Sequence, residues 1–403
     1  MRQIAIAGAG PTGAAFALLL VQRGITVTLV EAAPDFQRIF RGEGLMPSGI
    51  EAIAQMGVSD IIENIPHREL SGWEFILGKK SLFRVDEPVE PGTQPCTLVS
   101  QPPLLEGLIA RAREYPEFEF IQGIAVKDLL WDKNQRVAGV KLADGREIPS
   151  RLVIGADGRN SVIRKVAKIE LKREPKNMDV LWFKLTAHPK FVKDNVFSAI
   201  GDGENAFAVF HGAEEGKLHL AWTVSPNETV DTQRTTKQWA QMFASTSPSW
   251  FAEHFIQHAN TVERPIKLSV VVGRCPKWYA PGVLLLGDAA HPMAPIRAQG
   301  INVGLRDTII ATNYLVPLLN QNADEEAIDK VLSKIQAERE PEIIRVQQLQ
   351  VREEAQARLI PRNPQLRSVV LKIARLISPL VRKSWIQRQH DMRHGVKKVK
   401  LNV

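Results

Sequence analysis

Three glycine-containing segments could bring backbone amides and carboxylates to one elongated, negatively charged ligand. They are residues 8–13 (Gly-Ala-Gly-Pro-Thr-Gly), 155–161 (Gly-Ala-Asp-Gly-Arg-Asn-Ser) and 287–292 (Gly-Asp-Ala-Ala-His-Pro). In the first segment, Gly8 permits a tight turn, Gly10 lets the backbone approach a phosphate, and Gly13 lets a helix pack against a strand. This spacing alone is a weak signal, because glycine-rich turns are common.

The sequence around the first segment predicts a βαβ unit. Residues 2–7 are apolar enough for a buried parallel strand, residues 14–20 favour a helix, and residues 26–30 favour a second strand. A pyrophosphate would rest on the amides and the positive end of that helix. Glu31 ends the second strand 18 residues beyond the last glycine, close to the usual spacing for the acid that binds a ribose hydroxyl. The pattern therefore predicts a dinucleotide site.

Two aspartates follow predicted strands later in the chain. Asp157 comes after the apolar residues 151–154, and Asp288 comes after residues 283–286. A carboxylate at the end of a parallel strand can reach a ligand that lies along the carboxyl edge of the sheet. Residues 300–302 then open a helix whose positive end could face the pyrimidine edge of a flavin. These features indicate FAD, although either aspartate could instead be a helix cap or a turn residue.

The three motifs, in this order, make the chain resemble the single-component FAD-dependent aromatic hydroxylases typified by para-hydroxybenzoate hydroxylase. It looks nearest to their ubiquinone-biosynthesis-hydroxylase-like branch, over roughly the first four-fifths of the chain. The resemblance implies an α/β fold with a discontinuous Rossmann-type FAD-binding domain, an inserted β-sheet substrate domain and a helical C-terminal segment. It also implies that FAD is bound by Gly8, Gly10, Pro11, Thr12, Gly13, Glu31, Arg41, Gln101, Asp157, Gly287, Asp288, Pro295, Gly300, Ile301 and Asn302. A surface role for Arg41 and a capping role for Gln101 remain open.

The family resemblance implies a monooxygenase that uses NAD(P)H and O2 on a small aromatic, phenolic or isoprenoid substrate. No second GxGxxG pattern is present, so NAD(P)H is expected to bind transiently. Two other activities reuse this fold: a flavin-dependent halogenase and a reductase of isoprenoid double bonds. Residues 222–224 (Trp-Thr-Val) do not match the halogenase signature, which disfavours the first. A non-catalytic flavin-binding, membrane-associated module is the alternative of another class.

The loop after the third motif departs from the family pattern. In the family, two glycines precede the glutamine, and here Arg297 and Ala298 stand in their place. Both residues tolerate positive φ less well than glycine, so the loop conformation is in question. Arg297 could select an acidic or phenolate substrate, or it could face solvent. Pro295 is expected to position the loop beside the flavin, and His291 is either a proton relay or a structural residue.

The motifs divide the chain into three predicted parts. The FAD-binding domain is expected to comprise residues 1–70, 97–170 and 270–330, the substrate-binding sheet domain residues 71–96 and 171–269, and a helical C-terminal region residues 331–403. Alternating segments at 178–185, 206–210 and 217–224 predict strands of the sheet domain. Trp182, Phe210, His219 and Trp222 are candidates to line the substrate pocket, although each could be ordinary core. Pro341 predicts a break in the charged helix that follows residue 323.

Charge is concentrated at the C-terminus. The 403 residues have a formal net charge of +8, but residues 367–403 contain ten basic residues and a single acid, Asp391. The rest of the chain is nearly neutral, which disfavours a polyanion-binding catalytic body. Within the tail, Val369, Ile373, Leu376 and Leu380 fall on one helical stripe. The tail could lie on an anionic membrane surface, or it could pack on the body with its charges in water. Nucleic-acid binding is not expected, because no aromatic residues interleave with the charges.

The cysteine content and the N-terminus indicate the compartment. Cys96 and Cys275 are far apart and form no disulfide framework or metal motif, so no metal is expected and a reducing cytosol is favoured. The chain enters its first strand directly, without a signal-like segment, and no window is apolar enough to span a membrane. A cytoplasmic protein is therefore expected, with membrane contact limited to its surface.

Overall fold

The computed structural model describes residues 2–37, 43–175, 178–203, 205–225, 233–357 and 364–403. The strands are β1 (Arg2–Ala7), β2 (Val27–Glu31), β3 (Gly44–Leu45), β4 (His67–Glu69), β5 (Gly72–Leu77), β6 (Lys80–Asp86), β7 (Thr97–Val99), β8 (Phe118–Gln122), β9 (Val126–Trp131), β10 (Val137–Leu142), β11 (Glu147–Gly155), β12 (Lys172–Arg173), β13 (Asp179–Thr186), β14 (Val196–Asp202), β15 (Asn205–His211), β16 (Lys217–Val224), β17 (Ile266–Leu268), β18 (Gly273–Arg274), β19 (Tyr279–Ala280) and β20 (Val283–Leu285).

Twelve α-helices and three short 3-10 turns lie within the described residues. The helices are α1 (Pro11–Val21), α2 (Pro47–Gln55), α3 (Ser59–Glu63), α4 (Gln101–Ala112), α5 (Val162–Val166), α6 (Pro189–Asp194), α7 (Thr236–Thr246), α8 (Ser249–Gln257), α9 (Gln299–Asn320), α10 (Glu325–Ala357), α11 (Pro364–Leu376) and α12 (Ser378–His394). The 3-10 turns are Ala259–Thr261, Gly287–Ala289 and Ile296–Ala298.

The first large sheet brings distant parts of the chain together in the order β19-β20-β11-β1-β2-β8, and β10 and β9 extend it from β11. Strands β20, β11, β1, β2 and β8 are parallel, and their apolar runs are buried beneath α1, α4 and α9. The register places Ala7 opposite Val30 and Gly155, and Gly155 opposite Leu285. The carboxyl ends of these strands therefore meet at one edge, where all three glycine motifs begin.

The second large sheet has the order β17-β13-β16-β15-β14-β5-β6. Because side chains alternate along a strand, the sheet has two different apolar faces. One face packs on α7 and α8 through a core that contains Phe207, Leu220 and Trp222. The other contributes Trp73, Trp182 and others to a core shared with β7 and α12. A small sheet, β3-β7-β4, shares the second core.

The C-terminal helices differ in how they pack. Helix α10 is continuous through Pro341, so the predicted break there is wrong. Buried ion pairs from Arg339 and Glu342 to α9 flank the proline and hold the helix in place despite the lost backbone hydrogen bond. Helix α12 buries Trp385 and Met392. These helices complete the α/β fold class that the sequence predicts, whereas the domain boundaries stay a prediction.

Candidate flavin and substrate site

The first glycine motif forms the turn between β1 and α1. Gly8 has φ of +97°, and a Cβ atom there would lie 2.5 Å from the carbonyl oxygen of Ala156. A Cβ atom on Gly13 would overlap the carbonyl oxygen of Gly8. By contrast, nothing lies within 4 Å of the position of a Cβ atom on Gly10. The first and third glycines are thus required by packing, while the second leaves open space above the start of α1.

Glu31 ends β2 and turns its carboxylate toward the glycine motif. The backbone amide of Ala9 donates to Oε2 at 2.8 Å, and the amide of Ala33 donates to Oε1 at 2.8 Å. The carboxylate is therefore fixed beside the turn, with lone pairs remaining on both oxygens. This is the position that the sequence predicts for a ribose-binding acid.

Asp157 lies at the end of β11 and caps α5. Its Oδ2 accepts hydrogen bonds from the amides of Val162 at 2.6 Å and Ile163 at 3.1 Å. Burial raises the pKa of Asp157, although these hydrogen bonds oppose the shift. The capping role that the sequence left open is therefore present in the structure, and contact with a ligand stays a prediction.

The third motif packs directly on the first. Cβ atoms on Gly287 and Gly304 would each collide with Oγ1 of Thr12, so both glycines give room to that side chain. Asp288 follows Gly287, and its Oδ1 would lie 3.4 Å from a Cβ atom on Gly300 at the start of α9. The β1–α1 turn, the Gly-Asp turn and the amino end of α9 therefore surround one region.

Asn302, in the first turn of α9, ties three segments together. Its Oδ1 accepts from the amide of Met46 at 2.8 Å, and its Nδ2 donates to the carbonyls of Gly44 at 3.1 Å and Ala298 at 2.7 Å. The side chain is fully buried. Asn302 thus fixes the loop before α9 against β3, so its visible role is to shape the site.

The other expected FAD residues fall at element boundaries. Pro11 begins α1, Gln101 begins α4, and exposed Pro295 precedes the 3-10 turn Ile296–Ala298. Ile301 lies in the first turn of α9 and packs against the main core. Arg41 lies outside the described residues.

The loop before α9 adopts a left-handed backbone at the two positions where the family has glycine. Arg297 has φ of 59° and Ala298 has φ of 49°. Each such residue costs on the order of 1–2 kcal/mol relative to right-handed backbone. Side chains of α10 hold the loop, because Nε2 of Gln350 donates to the carbonyls of Ala294 and Ile296. The loop keeps a glycine-like shape without the glycines.

Arg297 occupies a cage of aromatic rings. Its guanidinium lies 4.7 Å from the ring centre of Trp73, 4.9 Å from that of Trp385 and 5.4 Å from that of Phe75. Its Nε donates to Glu353 at 3.1 Å, and the side chain is 6% exposed. The alternative in which Arg297 faces solvent is therefore wrong. A role in substrate binding stays a prediction, and its charge is already paired.

His291 belongs to a buried ionic network beneath the third motif. Its Nε2 lies 2.7 Å from Oδ2 of Asp307, whose Oδ1 accepts from Nε of Arg339 at 2.8 Å. Glu342 pairs with both Arg339 and Arg306. Burial disfavours the charge of Asp307, but His291 and Arg339 outweigh it and hold its pKa below the usual range. The geometry therefore favours the structural alternative for His291.

The candidate pocket residues divide between the two faces of the second sheet. Trp182, Phe210 and His219 share the face that looks toward the small sheet, with ring centres 5.5–6.0 Å apart. Trp222 lies on the opposite face, packed on Phe207 and on Phe243 of α7. The assignment of Trp222 to the substrate pocket is therefore wrong, because alternation along β16 turns it away from His219.

The chain matches a family model described as an FAD binding domain over residues 1–347. It is 31% identical to 6-methylpretetramide 4-monooxygenase of Streptomyces rimosus, across 92% of this chain and 91% of that protein. It is 27% identical to 3-demethoxyubiquinol 3-hydroxylase of Escherichia coli K12, across 78% of this chain and 79% of that protein. The chain belongs to the FAD-dependent monooxygenases.

Solved structures share its fold. The p-nitrophenol 4-monooxygenase PnpA of Pseudomonas putida superimposes with a TM-score of 0.79 at 16% identity, covering 98% of both chains. PqsL of Pseudomonas aeruginosa, in complex with 2-aminobenzoylacetate, gives a TM-score of 0.79 at 21% identity and covers 92% of this chain and 99% of that one. The predictions of an FAD cofactor and of a monooxygenase are confirmed.

One buried carboxyl of this monooxygenase was not assigned from the sequence. Glu43 precedes β3, and its side chain crosses to the second sheet, where Oε2 accepts from the amide of Ala213 at 3.2 Å. Its Oε1 lies 3.6 Å from Nδ1 of His219. Burial raises the pKa of Glu43 to about 8 and lowers the pKa of His219 to about 3. The local signal for Glu43 is its position between two glycines in residues 41–45 (Arg-Gly-Glu-Gly-Leu), but such spacing does not reveal a partner on the second sheet.

A cleft opens beside the loop that precedes α9. It lies between α10 and the chain that connects β17 to β18, and its walls include Met178, Val270, Ala294, Gln347 and Glu354. The walls combine apolar side chains with amide and charged groups.

Proposed function

We propose that this monooxygenase hydroxylates a small aromatic or phenolic compound, with NAD(P)H as the reductant and O2 as the source of oxygen. The observation that supports this best is the aromatic face formed by Trp182 and Phe210, which lies opposite the small sheet. Asn302 connects that small sheet to the loop before α9, where the flavin is proposed to bind. Flat apolar rings favour an aromatic partner. The substrate named for PnpA, p-nitrophenol, is of the same class.

The residues of the three motifs fit FAD. The open space above Gly10 would accept the pyrophosphate, which the amides at the start of α1 would bind. Glu31 would accept hydrogen bonds from the adenosine ribose, and Asp288 from the ribityl hydroxyls. The amides of Gly300, Ile301 and Asn302 would face the flavin. When bound, FAD supplies the redox chemistry, accepting hydride from NAD(P)H and enabling transfer of one oxygen atom from O2.

The protein's own part is to orient the substrate and exclude water. The face around Trp182 and Phe210 would hold the ring of the substrate, and Glu43 and His219 would place two polar groups beside that face. Arg297 and Asn302 fix the loop beside the flavin.

The experiment is a screen of substrate-stimulated NAD(P)H oxidation. Purified protein is tested with NADH and with NADPH across phenols, quinone precursors and polyenes, and products are analysed by mass. We expect a phenolic compound to accelerate oxidation and to gain one oxygen atom. Halide incorporation, or saturation of a polyene double bond, would instead support one of the two enzyme alternatives. A flavin that neither nicotinamide reduces would indicate a non-catalytic module.

We further propose that membrane contact is made by α11. The exposed apolar stripe comprises Val369, Ile373 and Leu376 of α11 and Leu380 near the start of α12, each more than half exposed, with Leu376 at 83%. The opposite side of α11 rests on the β5–β6 hairpin: Leu371 lies over Gly78, and Arg375 donates to the carbonyl of Leu77. An amphipathic helix held this way presents its apolar stripe outward.

The charges around the stripe suit an anionic lipid surface. Exposed basic side chains occur in the same region, both on the C-terminal helices and in the hairpin on which α11 packs: Lys79, Lys80, Lys372, Arg382 and Lys383. Each basic residue near an anionic bilayer contributes about 1 kcal/mol. Among the described residues, no helix has the length and apolar composition to cross a bilayer. The proposed contact is therefore peripheral.

Vesicle flotation tests this contact. Wild type should bind phosphatidylcholine vesicles that contain phosphatidylglycerol and should dissociate as salt is added, because screening beyond about 10 Å at 0.1 M weakens attraction between exposed charges. The Ile373→Glu/Leu376→Glu variant should lose binding with an unchanged melting temperature. The matched control is Ile256→Glu, an exposed apolar residue on α8. Equal binding by both variants, or concentration-dependent dimerisation without vesicle binding, would contradict the proposal.

A further inference from the structure

Three side chains converge on one point where α12 meets the segment between β6 and β7. The Nδ1 atom of His390 lies 3.0 and 3.1 Å from the two carboxylate oxygens of Glu90, and the Nε2 atom of His394 lies 3.3 Å from Oε2 of Glu90. One ligand atom from each of the three residues lies within 4.8 Å of the others. In a tetrahedral zinc site, bonds of about 2.0–2.1 Å separate neighbouring ligand atoms by about 3.3 Å.

The two sides of this cluster are held by contacts that do not involve the cluster itself. His390 and His394 are four residues apart on α12, so they share one face of the helix. Helix α12 is anchored by Trp385, and Arg393 forms a buried bidentate pair with Glu87. The geometry is therefore set before any ion binds.

The opposite side of the cluster is fixed by a turn. Thr93 donates to the carbonyl oxygen of Glu90 through both its amide and its hydroxyl group. Glu90 is about three-quarters buried by its surroundings, while the His390 side chain is 60% exposed. The cluster can therefore be reached from solvent, and one coordination position is available for water.

The donor atoms of the cluster suit a divalent cation. Zinc sites are built from imidazole nitrogens and carboxylate oxygens, and the cluster offers two of the first and one of the second.

We propose that Glu90, His390 and His394 bind one divalent transition-metal ion of the zinc type, with water as the fourth ligand. The ion would fasten α12 to the β6–β7 segment. The same two elements are already joined by the ion pair between Glu87 of the segment and Arg393 of α12. Helix α12 also carries Trp385, which contacts Arg297. The site is structural, and it does not depend on the proposed hydroxylation.

The test uses full-length protein without a polyhistidine tag, stripped with a chelator and then titrated with Zn²⁺ by calorimetry. We expect one ion per chain and a higher melting temperature with Zn²⁺. The His390→Ala and Glu90→Gln variants should bind at least about tenfold more weakly, with no thermal shift. Because His390 is exposed, its replacement should leave the apoprotein folded as wild type.

A matched control and a second metal make the result decisive. His67→Ala removes an exposed histidine whose ring contacts the carbonyl of Ile65, outside the cluster, and it should bind Zn²⁺ as wild type does. Co²⁺ should give the visible absorption of a four-coordinate site in wild type and in this control, and lose it in Glu90→Gln. Absence of stoichiometric binding, or equal binding by all variants, would overturn the proposal.

Discussion

The guanidinium of Arg297 lies 4.9 Å from the ring centre of Trp385, joining the loop before α9 to a helix nearly ninety positions further along the chain. Glu353 of α10 completes this contact by pairing with Arg297 at 3.1 Å and by accepting from Gln389 at 2.7 Å. The C-terminal helices therefore help to shape the loop before α9. This relationship explains how a left-handed loop persists where the family has glycines.

Replacing Arg297 by glycine and by alanine separates backbone strain from side-chain contact. Both variants lose the ion pair and the ring contacts, but only glycine relieves the positive φ. Arg297→Gly should therefore be more stable than Arg297→Ala by about 1 kcal/mol, and both should be less stable than wild type. Urea denaturation measures the difference. Equal stability of the two variants would show that the backbone at this position is not strained.

Gly10→Val should abolish FAD binding and leave the fold intact. The backbone of Gly10 has φ of −67°, which valine can adopt, and no atom lies within 4 Å of the new Cβ. The side chain would instead occupy the space proposed for the pyrophosphate. The measurement is FAD content by absorbance, beside circular dichroism of the apoprotein. A full complement of FAD would refute the assignment of the turn.

Asp288→Ala should weaken FAD binding by about 1–3 kcal/mol, the cost of losing a buried polar contact. The reason is that Asp288 is proposed to accept from the ribityl hydroxyls, beside the start of α9. Fluorescence titration of the apoprotein with FAD gives the dissociation constant. An unchanged value would leave Asp288 as a turn residue only.

Glu43→Gln should change the pH dependence of stability. Burial raises the pKa of Glu43 from 4.5 to about 8, so the folded chain keeps a proton that the unfolded chain releases. Stability from this group is present at low pH and is lost as pH rises through about 8. Glutamine has no such loss, so the variant should gain about 4 kcal/mol on wild type between pH 5 and pH 8.5, at about 1.4 kcal/mol per pH unit up to pH 8.

The Glu43→Gln substitution leaves the neighbouring charged and titratable groups unchanged. The charged and titratable groups that act on the Glu43–His219 pair are Lys184, His211 and Glu214. All three remain in the variant. Urea denaturation at several pH values gives the comparison, and a difference that stays constant with pH would show that Glu43 is ionised in the folded protein.

Asp307→Asn should destabilise the protein strongly. Asp307 is fully buried and pairs with His291 and Arg339, so its loss leaves a buried guanidinium short of a partner. The expected loss is about 3–5 kcal/mol. Asp60→Asn breaks the exposed pair with Arg111 and should cost under about 1 kcal/mol. Similar effects of the two substitutions on urea denaturation would contradict a stabilising network.

Much of the flavin region could be predicted because its signals are local. The strand, the glycine turn, the helix and Glu31 lie within one short stretch, and the structure places them as the sequence indicates. The alternation of β16 was also visible, but which face meets α7 is decided by tertiary packing, so Trp222 was misassigned. Pro341 was misjudged for a similar reason, since buried ion pairs on α10 override the local preference.

Other features depend on residues that are far apart in sequence. The cage of Arg297 draws on β5, α10 and α12, and the histidines of α12 meet Glu90 about three hundred positions earlier. Spacing within a single segment cannot reveal such partners. The four-residue spacing of His390 and His394 is the local sign of the proposed metal site. That spacing alone does not predict a site, because the third ligand, Glu90, is distant in sequence.

The most direct test of the account is the origin of the oxygen atom in the product. Purified enzyme with FAD, NAD(P)H and a phenolic substrate found by the screen is supplied with isotopically labelled O2, and the product is analysed by mass spectrometry. The account predicts one labelled oxygen atom per product molecule, with one NAD(P)H consumed for each. Product oxygen that comes from water, or oxidation of NAD(P)H that yields only hydrogen peroxide with every compound tested, would contradict it.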